Sequence, residues 1–140
     1  MRSGTLIAAA RTRPPEIMDP ITLMTCAVLL AVDGDTVKCD GQNLRPMGDG
    51  APFVSGFDTP EIGQFADCPE EHRLGIRAFA RMSELLQLPG LVVEDSGIAD
   101  RFDRPLVVLR LPDGTPLGRI MIEEGLAVEW VPGYRGAWCE

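Results

Sequence analysis

The sequence predicts an α+β fold that is mainly β, on three observations. Two Asp-Gly dipeptides, Asp33-Gly34 and Asp40-Gly41, cut the apolar stretch from Thr22 to Met47 into three short strands. A single long segment of helical periodicity follows, ending at Leu88-Pro89-Gly90. Short apolar runs then alternate with turn signals as far as Val131. A three-stranded meander followed by a helix and further strands suits a five-stranded Greek-key barrel of the OB type, with one long and one short helix.

Residues 1–20 include Arg2, Arg11, Arg13, Pro14 and Pro15 without organised periodicity, and are expected to form a flexible tail. The domain is expected over 21–131. Thr22–Val32 is one aliphatic and β-branched strand, Thr36–Cys39 and Asn43–Met47 the next two. In the long helix Asp67 is the expected N-cap, Pro69 lies in the first turn, and Glu70 completes a capping box. Leu74, Ala78, Met82 and Leu85 recur on one face, widened by Phe79 and Leu86. Leu91–Glu94 and Leu106–Leu111 are strands, and Pro112-Asp113-Gly114-Thr115 is a turn. Leu117, Ile120 and Met121 mark a short helix capped by Gly125, and Ala127–Val131 is the last strand. Residues 132–140 are a tail bearing Tyr134 and Trp138.

At 140 residues and 45% apolar composition, the chain is one domain able to bury its own core. No segment is long enough to span a membrane as a helix. The run Ile21–Val32 resembles a signal-peptide core but enters Asp33-Gly34 without a cleavage spacer, so strand is the better reading. The net charge of −8 argues against tight, processive binding to long duplex DNA, because phosphate neutralisation needs basic groups. An acidic chain that handles nucleic acid must recruit it through a bound cation and a few local arginines.

Four cysteines allow three pairings. If Asp33-Gly34 forms the two-residue turn, Cys39 opposes Val28 and Cys26 opposes Gly41. Cys26 and Cys39 are then diagonal neighbours at about 7–8 Å, beyond bridging distance unless a bulge shifts the register. Cys68 and Cys139 have no comparable test, and unpaired thiols are the alternative. The lone His72, on a helix without cysteine or histidine at metal spacing, does not support zinc.

Three runs carry chemistry: Val32-Asp33-Gly34-Asp35-Thr36, Phe57-Asp58-Thr59-Pro60-Glu61 and Asp100-Arg101-Phe102-Asp103-Arg104. Together they offer carboxylates for a hard cation, a carboxylate on a proline-stiffened corner for a water, and guanidiniums for a phosphate. Asp33-Gly34 alone is ordinary hairpin chemistry, which accounts for Asp33 better than for Asp35.

In order, spacing and residue type these runs resemble the staphylococcal nuclease (thermonuclease) family over roughly Cys26 to Trp130. Its signature is a DGDT turn, a strand arginine leading to D-[TA]-P-E, and a D-x-Y-G-R segment. Phe102 stands where the family has Tyr, and Asp103 where it has Gly. The run 48–56 is an insertion before the DTPE motif, so thirteen positions separate Arg45 from Asp58 where the family pattern has five. Within that insertion, Asp49 could approach the cation and Phe53 could wall a nucleotide pocket.

The resemblance implies a calcium-dependent nuclease acting on DNA and RNA, single strands favoured, leaving 3′-phosphate ends. It implies Ca2+ held by Asp35, Asp58 and the Thr59 carbonyl, with Asp33 behind them. Glu61 would position or deprotonate the water, and Arg45 and Arg104 would bind phosphate. Phe102 and Tyr134 are candidates for base stacking, while Trp130 is better read as barrel-end packing. A monomer is expected, and secretion or a periplasmic location would fit the family and the four cysteines. The rival readings are a non-catalytic OB-type module binding nucleic acid or protein, and a disulfide-stapled domain with a protein partner.

Overall fold

A computed structural model describes residues 22–48, 55–133 and 136–139. The expected tail over 1–20, together with Asp49, Phe53 and Tyr134, lies outside them. The fold is α+β and mainly β. Its elements are β1 (Thr22–Met24), β2 (Leu29–Asp33), β3 (Thr36–Cys39), β4 (Gln42–Pro46), β5 (Phe57–Asp58), a 3-10 turn (Gly63–Phe65), α1 (Pro69–Leu85), β6 (Val92–Ala99), β7 (Pro105–Arg110), α2 (Leu117–Glu123) and β8 (Val128–Glu129). A six-stranded sheet runs β1-β6-β7-β4-β3-β2, and β5 pairs with β8 in a second, two-stranded sheet.

The single strand expected over Thr22–Val32 is two strands. They lie at the two edges of the larger sheet, β1 on β6 and β2 on β3. Only residues 25–28 join them, a span of at most about 18 Å. Six flat strands would separate their edges by about 24 Å, so the sheet must curl. Its edges are not joined to each other by strand pairing.

Asp40-Gly41 forms the tight β3–β4 turn as expected, with φ of 49° and 90°. The β2–β3 turn differs. Its central residues are Gly34 and Asp35, with Asp33 opposite Thr36; this turn moves the register two positions and a bulge at Val32 takes one back, leaving Cys39 opposite Leu29 instead of Val28. Just before β2, the Asp40 carboxylate accepts the N–H groups of Ala27 and Val28. The chain thereby brings Cys26 within 5.3 Å (Cα–Cα) of Cys39, and the two are disulfide-bonded. The diagonal geometry expected from an unbulged hairpin is therefore corrected.

β7 is the central strand of the core. Its run Leu106–Leu109 is buried on both faces, as continuous apolar strands are. Val107 and Leu109 join the main core with Val37, Leu44, Phe57, Met82 and Met121, while Leu106 and Val108 pack with Met47 on the opposite face. β7 pairs parallel with β4, Arg45 opposite Leu106, and α1 and β6 fill the crossover.

α1 is capped by Cys68, not Asp67: the Cys68 sulfur accepts the Glu71 N–H. Cys68 is bonded to Cys139, so the C-terminal segment is tethered to the helix start. The buried stripe is Glu71, Gly75, Ala78, Met82 and Leu85, with Leu74 and Phe79 half-buried. At its far end, Arg81 makes a fork of two hydrogen bonds to Glu124 that ties α1 to the end of α2. No helix among the described residues is long and apolar enough to cross a membrane.

Candidate functional site

The β2–β3 tip, β5 and the residue after it bring the first two motifs together. Gly34 makes this possible: a Cβ there would sit 2.8 Å from Ala78 on α1 and from the Thr59 side chain. Asp33 Oδ1 accepts the Asp35 N–H at 3.0 Å, which shapes the turn. Asp35 Oδ2 accepts the Thr59 N–H at 3.0 Å and so joins residues 24 positions apart.

Arg45 sits in the same place. Its guanidinium donates to the Asp35 carbonyl at 2.8 Å and to the Phe57 carbonyl, and stands 3.6 Å from Asp35 Oδ2. Met47 bridges to Gly56 and Gly48 donates to the Ser55 carbonyl, so the chain leaves and returns at one point beyond β4. Arg45 and Asp58 are thus neighbours in space despite their distance in sequence.

The electrostatics of this cluster are unbalanced. Burial, then the adjacent Asp35 carboxylate, push Asp33 up to about 7. The same causes push Asp58 up to about 7, against a smaller opposing pull from Arg45. Burial also acts upward on Asp35, but Arg45, the Thr59 N–H and the side-chain hydrogen bonds with Asp33 and Asp58 outweigh it and hold Asp35 below the usual carboxylate range. Glu61 adds its charge to the field at both Asp33 and Asp58. One guanidinium does not neutralise this set.

Hard oxygen donors crowded beyond their own countercharge are what a calcium ion takes. The carboxylates are nevertheless linked pairwise through Asp35 and do not converge on one point. Among the described residues no group of three or more His, Cys, Asp or Glu side chains is arranged to hold a metal. The donor chemistry fits an open site of few protein ligands and does not fit a closed cage.

Arg104 approaches from the β6–β7 turn. Asp100 grips it through Nε at 2.8 Å, and Nη1 donates to Thr36 Oγ1 at 3.0 Å, next to Asp35 in the chain. Asp103 has a φ of 63°, the left-handed conformation that glycine adopts most readily and Asp tolerates. An Asp can therefore serve at this position of the turn. Phe102 is 64% exposed, with the Arg101 and Arg104 guanidiniums 4.9 and 5.3 Å from its ring centre.

Arg45 and Arg104 both line an open cleft of about 530 Å3, whose walls include Phe102, Trp130, Met47 and Leu106. Trp130, read from sequence as packing, is half-buried and donates its backbone N–H to the Gly56 carbonyl at the cleft wall. His72 Nδ1 accepts the Gly63 N–H, a structural contact.

Sequence reasoning missed Glu71. It is buried, and its carboxylate accepts the Glu61 N–H at 2.9 Å and the Asp67 N–H at 2.7 Å. An acid in the first turn of a helix ordinarily serves the helix end, so its register on the inward face was the only available signal. Compared with known proteins, the chain matches no family model and no curated sequence.

Proposed function

We propose that this protein is a calcium-dependent phosphodiesterase of thermonuclease type, cleaving DNA and RNA, single strands preferentially, to 3′-phosphate ends. One observation carries the reading: Arg45 contacts the acidic turn at Asp35 and also lines the cleft that Arg104 lines from the β6–β7 turn. A cluster short of positive charge and a pair of phosphate-binding forks thus share one rim. A binding protein has little use for carboxylates crowded in this way.

The strand order supports an OB-type barrel. If β1 and β2 are halves of one kinked strand, the order is five strands in which the first flanks both the second and the fourth. OB folds bind oligonucleotides with the loops after their first and fourth strands. Here those loops bear Asp35 and Arg104.

In the proposed reaction Asp35, Asp58 and the Thr59 carbonyl hold the cation, with Asp33 fixing the turn. Bound calcium would supply charge for a phosphate oxygen and lower the cost of ionising water. Glu61 aims a water at phosphorus and accepts its proton. The P–O5′ bond breaks as the new P–O bond forms, and the 5′-oxygen takes a proton from solvent. Arg45 and Arg104 stabilise the charge that builds on the equatorial oxygens. Positioning and electrostatics supply most of the rate.

The second reading is a non-catalytic OB-type binding module, favoured by the net charge of −8 and by the exposed Phe102 between two arginines. Denatured DNA incubated with millimolar calcium, and with chelator, separates the two. Cleavage only with calcium is expected. Binding without cleavage under any divalent ion favours the module, and undiminished cleavage in chelator removes the calcium mechanism.

A further inference from the structure

The face that α1 turns toward the candidate site is not apolar where it meets the Pro60–Glu61 segment. Glu71, Gly75 and Ala78 are spaced four and three residues apart and lie on one side of the helix. Glu71 is 2% exposed and spends both carboxylate oxygens on backbone N–H groups, Oε2 on Glu61 and Oε1 on Asp67. At Gly75, a Cβ would stand 2.5 Å from the Glu61 carbonyl oxygen and 2.9 Å from that of Pro60. The helix therefore takes hold of Glu61 on both sides, by a hydrogen bond to its N–H and by close packing against its C=O.

This arrangement is costly. Glycine inside a helix costs about 1 kcal/mol relative to alanine. A buried acid requires its oxygens to be satisfied, and two N–H donors do so here. Leucine and alanine at the two positions would make a better helix. What they would not do is fix the main chain of Glu61.

We infer that Glu71 is a positioning residue for Glu61, an inference that rests on the phosphodiesterase reading above. Glu71 is too deeply buried to reach substrate. It holds the peptide from which the Glu61 carboxylate meets the water, and Gly75 lets the helix come close enough for that grip. The N-cap bond from Cys68 to the Glu71 N–H sets the start of the helix that carries it.

The test uses Glu71→Gln, Glu71→Ala and Gly75→Ala in the full chain with calcium and denatured DNA. Glu71→Gln keeps one carbonyl acceptor and should lose about tenfold in kcat, Glu71→Ala about a hundredfold, with KM within about twofold. Amide hydrogen exchange at Glu61 and Asp67 should accelerate in Glu71→Ala, a readout independent of catalysis. Adding Glu71→Gln to Glu61→Gln should slow the enzyme no further, because Glu71 acts through Glu61. That double variant also decides the matter if Glu71→Ala fails to fold. Wild-type kcat in Glu71→Gln, additive losses in the double variant, or unchanged exchange at Glu61 would overturn the inference while leaving the phosphodiesterase reading intact. A wild-type chain that cleaves nothing with calcium would overturn both.

Discussion

Asp100 and Asp33 both flank turns between adjacent strands, yet their carboxylates have opposite surroundings. Burial acts upward on Asp100, but the N–H groups of Arg104 and Phe102 and the Arg104 guanidinium outweigh it and hold Asp100 below the usual range. At the β2–β3 tip, burial and Asp35 push Asp33 up to about 7, and Asp58 follows. The β6–β7 turn is complete in itself and uses its carboxylate to aim an arginine. The acidic tip is not, and its carboxylates outnumber the one guanidinium that reaches them. The same residue type is thus held as the anion in one turn and disfavoured as the anion in the other.

The comparison breaks first at the chemistry. With calcium, Glu61→Gln and Asp58→Asn should each lower turnover on denatured DNA by about 10²–10⁴-fold, with thermal melting close to wild type. Single-turnover rates measure this, and wild-type rates in either variant would remove the proposed role of that carboxylate. Arg104→Lys comes next. A lysine cannot keep both the Asp100 and Thr36 contacts while offering a fork to phosphate, so a loss of about 10²-fold is expected.

The acidity of the tip is measurable without activity. Asp33 and Asp58 have folded pKa values raised to about 7 from 3.8, so the folded state binds more protons across that window. The stability they contribute is full below about 3.8 and is lost as pH rises toward 7. Metal-free protein should therefore melt lower at pH 8 than at pH 5, by the equivalent of about 1–2 kcal/mol after allowing for partial exposure. Asp100 has the opposite sign, and its contribution should disappear only as pH falls below the ordinary carboxylate range. Calcium should raise the melting temperature more at pH 8 than at pH 5, since it binds the ionised carboxylates. A calcium effect equal at both pH values would show that the tip does not bind the ion.

The smallest expected effect concerns the turn that is already complete. Asp103→Gly should change stability by no more than about 0.5 kcal/mol, whereas Asp103→Ala should cost about 1 kcal/mol through its left-handed φ. Urea unfolding of both variants makes the comparison.

Local chemistry was legible in the chain. The Asp40-Gly41 turn, the limits of β3, the helix ending before Leu88-Pro89-Gly90 and the short helix before Gly125 each depend on residues a few positions apart. The three runs of acids and arginines stood out in the chain too, but not that Arg45 would stand beside Asp35 and Phe57. Long-range arrangement was not legible. One apolar run gave no sign that it would divide and occupy both edges of a sheet, because it stays uncharged and mostly apolar through the break at 25–28. The Gly34-Asp35 turn and an extra residue at Val32 together set the hairpin register, and the Asp40 carboxylate holds the segment before β2 so that Cys26 meets Cys39; period-two patterns cannot locate a bulge in advance. Cys68 and Cys139 are 71 positions apart, and only the path of the whole chain brings their Cα atoms to 6.0 Å. Glu71 makes the same point at the site. Composition placed an acid at the start of a helix, but burial against Glu61 depends on how α1 packs, and packing is a property of distant segments meeting.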